Sequence, residues 1–353
     1  MAYTTVDNPE LYFQSVLWTG DDSTDNAITF DNTDTSMQPN LIWLKPRTKV
    51  DNHRWMDSVR GVTKMLPSNS DGVEETISAG LASFDSNGFT LNTTDSGYNS
   101  SSYTYVAWNW KAGTSFSNDA SSTGIGTIDS TGSASDTAGF SIVSYTGTGS
   151  AGTVKHGLSS APSIVLIKNR SASGKSWIMA HKSIGFGNAL FLNLTDGSTS
   201  EGSAFNSTAP TSSVFTVGNT SLVNDSGNTY IAYCFSEKKS YSKFGSYTGN
   251  GNADGTFVYT GFKPALTIIK NSGGTGPWYL FDNKRPGFNV INVEITANSN
   301  DAEATDISLD HLSNGFKLRK TGSGVNGSGN SYIYMAFAEQ PFVTSSGVPA
   351  AAR

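Results

Sequence analysis

Side chains capable of chemistry are few in this sequence, and they are scattered. The only thiol is Cys234, and the histidines are His53, His156, His181 and His311. None of the four stands at the spacing of a metal-binding pair and no cysteine cluster joins them, so neither chelation nor an internal disulfide is expected. Gly147–Gly152 and Gly322–Gly327 both fit Gly-x-Gly-x-x-Gly. That pattern holds a dinucleotide only when a helix opens straight after the third glycine, so that its N-terminus faces the phosphates. No helical period follows either stretch, and both read as hairpin turns. Gly174-Lys175-Ser176 lacks the upstream glycine of a phosphate loop. Asn224–Asn228 and Asn326–Asn330 offer oxygen ligands to calcium but little negative charge, and read as turns with positive φ. No cofactor and no metal are expected.

The carboxylates lead no further. Glycoside hydrolysis needs two of them facing one cleft. Glu74 and Glu75 are adjacent, while Glu237 and Glu339 match one another but follow apolar runs, where an exposed edge is expected. Asp57 and Asp282 fall against His181 when the chain is aligned with itself, which breaks any shared catalytic role. No Ser/His/Asp set is fixed by spacing. The expectation is a protein that is not an enzyme, with no catalytic residue.

The elements around these residues are more regular. Asn228–Glu237 returns as Asn330–Glu339, with a looser copy at Tyr103–Lys111. Each is an apolar, aromatic run too short for a buried helix, which describes a strand covered on both faces. Other features recur around them. An aromatic-Thr-Gly step opens each copy at Trp18, Tyr145 and Tyr247. A proline, a strand-like run and a lysine follow at Pro39 to Lys45, Pro162 to Lys168 and Pro264 to Lys270. Next come a tryptophan (Trp55, Trp177, Trp278), a turn glycine (Gly61, Gly185, Gly287) and a Phe-bearing strand (Phe89, Phe215, Phe316). By subtraction of residue numbers, Tyr145 and Tyr247, Lys168 and Lys270, and Tyr230 and Tyr332 are each 102 apart.

A period near 100 residues, many short strands and no sustained helical period predict an all-β chain of three tandem antiparallel β-sandwiches, jelly-roll or lectin-like. The divergent first module covers 1–112 with an N-terminal arm, whose segment from Tyr3 to Phe13 reads as the first strand, with an anchor to another protein as the alternative. A Gly/Ser/Thr-rich linker follows at 113–138, carrying at most one strand near 126–129. The second and third modules cover 139–240 and 241–344, and a fraying tail covers 345–353. Asp71 to Phe84 is the one place where a short helix competes. Residue types that recur across the copies favour packing over chemistry: the tryptophans as core, the lysines as strand-end residues lying over their own sheet, Cys234 as a small packed residue.

Composition agrees. Charged residues are 15% and aromatics 11% of 353 residues, the reverse of a disordered chain. A net charge of −6 opposes a phosphate-binding face, so no nucleic-acid partner is expected. No apolar run approaches the length of a membrane span, and the N-terminus lacks the order of a secretion signal.

Several stretches carry a resemblance. These are Met1–Gln14, Phe140–Gly147, Tyr241–Gly249, Ser313–Phe316 and Met335–Glu339. As a set they are similar to a family of virion proteins of tailed phages, many of marine bacteria, usually described as structural or tail-fibre-like. The similarity covers nearly the whole chain, but none of the motifs is catalytic and no site residue is carried over. The resemblance implies a non-enzymatic virion protein, made in the bacterial cytoplasm and serving as a tail-fibre or receptor-binding component. Its implied partners are other virion proteins, a host-surface glycan or receptor, and further copies of itself, a trimer by analogy. The rivals are a capsid-decorating or head-fibre protein, a carbohydrate-binding module, and a depolymerase using Glu74, Glu75, Glu237 or Glu339.

Overall fold

The apolar runs of the sequence become antiparallel strands. A computed structural model describes residues 4–31 and 36–350, and the fold is all-β apart from a single α-helical turn, Ala120–Thr123, and two 3-10 turns. Met1 to Tyr3, part of the N-terminal arm, and the last three residues of the expected tail lie outside the described residues. The described part of the segment expected as the first strand, Tyr3 to Phe13, is not one: Pro9 fixes the 3-10 turn Pro9–Leu11, and the first strand opens only at Phe13.

Three large sheets share one spatial order. The N-terminal sheet runs Phe13–Thr19, Thr104–Trp110, Leu41–Pro46, Arg54–Asp57. The C-terminal sheet runs Ser242–Thr248, Ser331–Pro341, Phe262–Asn271, Trp278–Asp282, Ile295–Thr296. In the middle sheet Phe140–Thr146, Thr229–Phe235, Ile164–Asn169 and Ile178–His181 keep that order, flanked on one side by Thr114–Asn118 and Ser130–Ser135. Register agrees as well as order: Leu41 faces Asp57, Ile164 faces His181, and Leu266 faces Asp282.

The tyrosine-rich runs are the inner strands of these sheets, and their period of two sorts the side chains between faces. Ile231, Tyr233 and Phe235 point to one side, while Tyr230, Ala232 and Cys234 point to the other. The second side is roofed by a small sheet over each large one: Asn26–Thr29 with Gly88–Leu91 and Leu81–Asp85; Gly152–Lys155 with Val214–Val217; Phe257–Tyr259 with Gly315–Leu318 and Leu309–Leu312. Under each roof the aromatic of the aromatic-Thr-Gly step stacks on a tyrosine of the inner strand. The ring centroids are 5.2 Å apart for Trp18 and Tyr105, 5.2 Å for Tyr145 and Tyr230, and 5.0 Å for Tyr247 and Tyr332. The glycine of the step is required by a close approach. A Cβ on Gly20, Gly147 or Gly249 would lie 2.2, 2.2 or 2.3 Å from a loop carbonyl.

The first side of every large sheet faces a common centre. Trp110, Phe235 and Phe337 occupy the same place in the three sheets and form a triangle of rings with centroid separations of 5.4, 5.8 and 6.5 Å. Trp43, Trp55 and Trp177 extend this cluster, with Trp55 lying 4.7 Å from Trp43 and 5.1 Å from Trp177. A void of only about 20 Å³ is left between Trp43, Trp55, Trp110, Phe235 and Trp278, too small for more than a water molecule.

Several expectations are corrected. The stretch 113–138 is not a linker: Thr114–Asn118 and Ser130–Ser135 extend the middle sheet. Its small polar residues suit an edge hairpin, and Phe116 packs against the roof of the middle sheet. Asp71 to Phe84 forms no helix; it contains the strands Glu75–Thr76 and Leu81–Asp85. Gly147–Gly152 and Gly322–Gly327 join strands of different sheets, so they are crossings between layers, not hairpins. Residues 345–350 do not hang free. Ser345 bonds Asp7, and Val343 bridges Pro349.

Candidate functional site

The recurring lysines, together with Asp57, Asp282 and Glu74, lie at the places where the large sheets meet. Lys45, Lys168 and Lys270 leave the ends of their strands and are fully buried, not spread over their own sheets. Each ammonium reaches across to a loop of a neighbouring sheet. Lys168 Nζ donates to the Asp71 carbonyl at 3.2 Å, Lys270 Nζ to Thr195 at 2.9 Å, and Lys45 Nζ to Asn300 at 3.4 Å. Other main-chain carbonyls nearby complete the cradle, at Lys175, Gly276 and Pro46. Burial pushes each lysine down to about 8. Three residues beyond each loop carbonyl the backbones pair directly. Glu74 N–H donates to Arg170 O at 2.9 Å, Ser198 to Ser272 at 2.9 Å, and Glu303 to Arg47 at 2.7 Å. The junctions therefore run N-terminal to middle, middle to C-terminal, and C-terminal back to N-terminal.

The tryptophans belong to the same seams, with one correction. Trp177 donates its indole N–H to Pro67 O and Trp278 donates to Phe191 O, both at 2.9 Å across a junction. By register the residue in their place in the N-terminal sheet is His53, whose Nε2 is 3.0 Å from Thr296 O. Its Nδ1 accepts from Trp43 Nε1 at 2.8 Å, so the proton sits on Nε2 and the ring is neutral. Trp55 lies two residues further on and points into the centre. Spacing from the lysine alone does not separate the two, because the intervening loops differ in length.

Two junctions hold a buried ionic network. Asp57 pairs with Arg60 at 2.5 Å, accepts from Tyr233 Oη at 2.7 Å, and lies beside the Glu74–Arg170 pair at 2.8 Å. Asp282 pairs with Arg285 at 2.6 Å, accepts from Trp108 Nε1 at 3.0 Å, and lies beside the Arg47–Glu303 pair at 2.9 Å. Burial pushes the Asp282 carboxyl up, yet the Arg285 guanidinium and its hydrogen bonds outweigh this and the net displacement is downward. Burial likewise opposes the charge on Arg60, and Asp57, Tyr233 and Glu74 more than restore it. At the third junction His181, Ile184, Ser198, Ser272 and Met335 occupy the corresponding places. Acid, base and donor are replaced together, and His181 Nε2 has no partner among the described residues. The charged groups of the two ionic junctions are paired with each other and largely buried, so their arrangement ties neighbouring sheets together. The Asp-x-x-Arg spacing at 57 and 282 was a sequence signal for the pairs that the chemical reading passed over.

The remaining candidates are placed singly. Cys234 is buried under the roof of the middle sheet, which pushes its thiol up to about 12. His156, His181 and His311 lie in separate places, each with its pKa pushed down by burial. Glu74 faces the two arginines, whereas Glu75 is exposed on a short strand. Glu237 pairs with Lys182 at 2.6 Å and Glu339 with Lys263 at 2.8 Å, both partly exposed. Asn224 and Asn326 are buried organisers of the loops that feed the inner strands, and Gly227 and Gly329 supply the positive φ. Among the described residues no group of three or more His, Cys, Asp or Glu could hold a metal ion, and no helix is long and apolar enough to cross a membrane.

Among the described residues the solvent-facing large aromatics, Phe257, Tyr259, Phe288 and Phe342, gather on the C-terminal sheet and its roof. Three of them border two grooves, one of about 450 Å³ beside Tyr259 and Phe342 and one of about 490 Å³ beside Phe288. The turn between the grooves is tied together, since the N–H groups of Thr260 and Gly261 both donate to Asn314 O. Hydrophobic pattern does not reveal this group, because an exposed phenylalanine and a core phenylalanine look alike in sequence.

The chain belongs to the family described as Domain of unknown function (DUF7483), which matches residues 8–341. No curated protein and no solved structure matches it.

Proposed function

We propose that the chain is three copies of one roofed β-sandwich, closed into a ring, and that it serves as a non-enzymatic structural protein of a tailed-phage virion, in a tail-fibre or receptor-binding role. The observation that carries the reading is the use made of the recurring side chains. Lysines, tryptophans, tyrosines and Asp–Arg pairs at matched positions are consumed in seams and packing, which is what a rigid assembly part needs and a catalyst does not. The sequence resemblance supplies the virion context. The fold supports it physically: a protein without disulfides gains resistance to opening by burying a common aromatic centre under three seams. Antibody labelling of purified particles tests the reading. Gold at the tail tip or fibres is the expected result, label confined to the head makes the chain a decorating protein, and particles lacking the chain refute the virion assignment.

A further inference from the structure

We propose that the groove beside Phe288 is a binding site for a neutral sugar residue, with Tyr259 as a second stacking surface for the continuing chain. The argument begins with polar atoms that the fold leaves unused. His311 is 3% exposed and borders the groove. Its ring nitrogen Nε2 meets Thr267 Oγ1 at 3.0 Å, and its backbone exchanges two hydrogen bonds with Asn289, but Nδ1 has no partner among the described residues. Asn283 borders the same groove, and its Oδ1 is likewise buried without a partner. Leaving such atoms unsatisfied opposes folding, so a ligand or water that completes them is favoured.

Packing does not require these residues. His311 faces Phe316 across its hairpin just as Phe84 faces Phe89 in the N-terminal roof. A phenylalanine fills that place there, so the imidazole is an addition to the shared framework. Phe257 and Tyr259 are also additions, since Ala27 and Thr29 hold the same register places in the N-terminal roof and Thr153 and Lys155 in the middle one. Phe288 is 81% exposed, and no contact of the fold calls for an aromatic ring there.

The chemistry of the groove selects its occupant. Lys263 and Glu339 on its wall pair with each other at 2.8 Å. His311 is held neutral by burial, which pushes its pKa down to about 3, and Asn283 and Asn314 are amides. The groove thus presents matched charge, amide groups and an aromatic face. A neutral polyhydroxylated ring fits: its hydroxyls both donate and accept, and its apolar C–H face packs on an aromatic side chain. An apolar peptide would leave the amides unpaired, and a polyanion would meet Glu339. Assignment of the sugar to a host surface rests on the virion reading given above. The preference for a neutral sugar does not.

Saturation-transfer NMR on the full chain tests the site, with the methyl glycosides of glucose, galactose, mannose and N-acetylglucosamine as probes. The expected result is saturable binding of at least one glycoside, with Kd on the order of 1 mM. Phe288→Ala and Asn283→Ala should each weaken it by roughly 10-fold or more, with circular dichroism unchanged. Tyr259→Ala should leave the monosaccharide unaffected and weaken a hexasaccharide of the same sugar. Failure of all four glycosides to bind overturns the proposal. So does binding that survives both Phe288→Ala and Asn283→Ala, or a preference for heparin oligosaccharides that fades with added salt. A chain that binds sugar but is missing from particles keeps this site and loses the virion role; the converse result does the opposite.

Discussion

Exchanging the side chains of one seam for those of another tests whether the three junctions are versions of one design. The Arg60 side chain is fully buried and touches Asp57 Oδ2 at 2.5 Å, Glu74 Oε2 at 3.2 Å and the Trp55 carbonyl at 2.9 Å. Arg60→Ile alone leaves the Asp57 carboxylate buried, with only two backbone N–H groups and Tyr233 as partners. Removing one member of a buried ion pair costs about 3–5 kcal/mol. The junction between the middle and C-terminal sheets already carries the uncharged set His181, Ile184 and Met335 at these places. The triple variant Asp57→His, Arg60→Ile, Tyr233→Met should therefore regain most of that loss and unfold within about 2 kcal/mol of the unmodified chain, because a buried pair and a packed apolar set are often near equal. Glu74 keeps Arg170 throughout. Urea unfolding followed by tryptophan fluorescence gives the midpoints. If the triple variant is no more stable than Arg60→Ile, the seams are not interchangeable and the reasoning fails.

Other consequences can be measured in the same way. Because burial depresses His181 and His311 to about 3, the unfolded chain binds the extra protons between roughly pH 6.5 and 3. Stability should therefore rise with pH across that window and fall on acidification, by up to ~1.4 kcal/mol per pH unit for each histidine; a urea midpoint that is flat from pH 7 to 5 contradicts this, and His311→Phe should reduce the slope. Lys270→Met leaves the Thr195 and Gly276 carbonyls without their ammonium and should cost about 1–3 kcal/mol, read as a lower urea midpoint. Trp278→Ala removes both an indole bond across a seam and central packing, with an expected cost of about 3–5 kcal/mol; a loss under ~1 kcal/mol would argue against the packed centre. Limited proteolysis should give no stable fragment of single-sheet size, since every large sheet buries one face against the other two.

Much of this was legible from local pattern. Asn228–Glu237 and Asn330–Glu339 announced strands covered on both faces, and Ile231 with Phe235 on one side and Ala232 with Cys234 on the other bear this out. The all-β class followed from such runs. What local pattern does not carry is which neighbour covers a face. Lys45, Lys168 and Lys270 look like solvated strand ends, and only carbonyls from another part of the chain make them interior. His53 is masked by nearby Trp55 because seam and centre both accept an aromatic ring. The strands at 114–118 and 130–135 are weak in β propensity and exist because the edge of Phe140–Thr146 offers them a partner. Phe288 is the reverse case, an apolar residue left outside.

One seam has a feature the other two lack. Between the C-terminal and N-terminal sheets no peptide segment passes directly from one to the next, yet Glu303 meets Arg47 and Lys45 meets Asn300 as their counterparts do elsewhere. Tethering by consecutive sequence is therefore not what aligns neighbours here. It raises their effective concentration, and the contacts at this seam match those at the tethered ones without it. Three free polypeptides, each bearing a single sheet with its roof, would have the contacts needed to assemble into the same body.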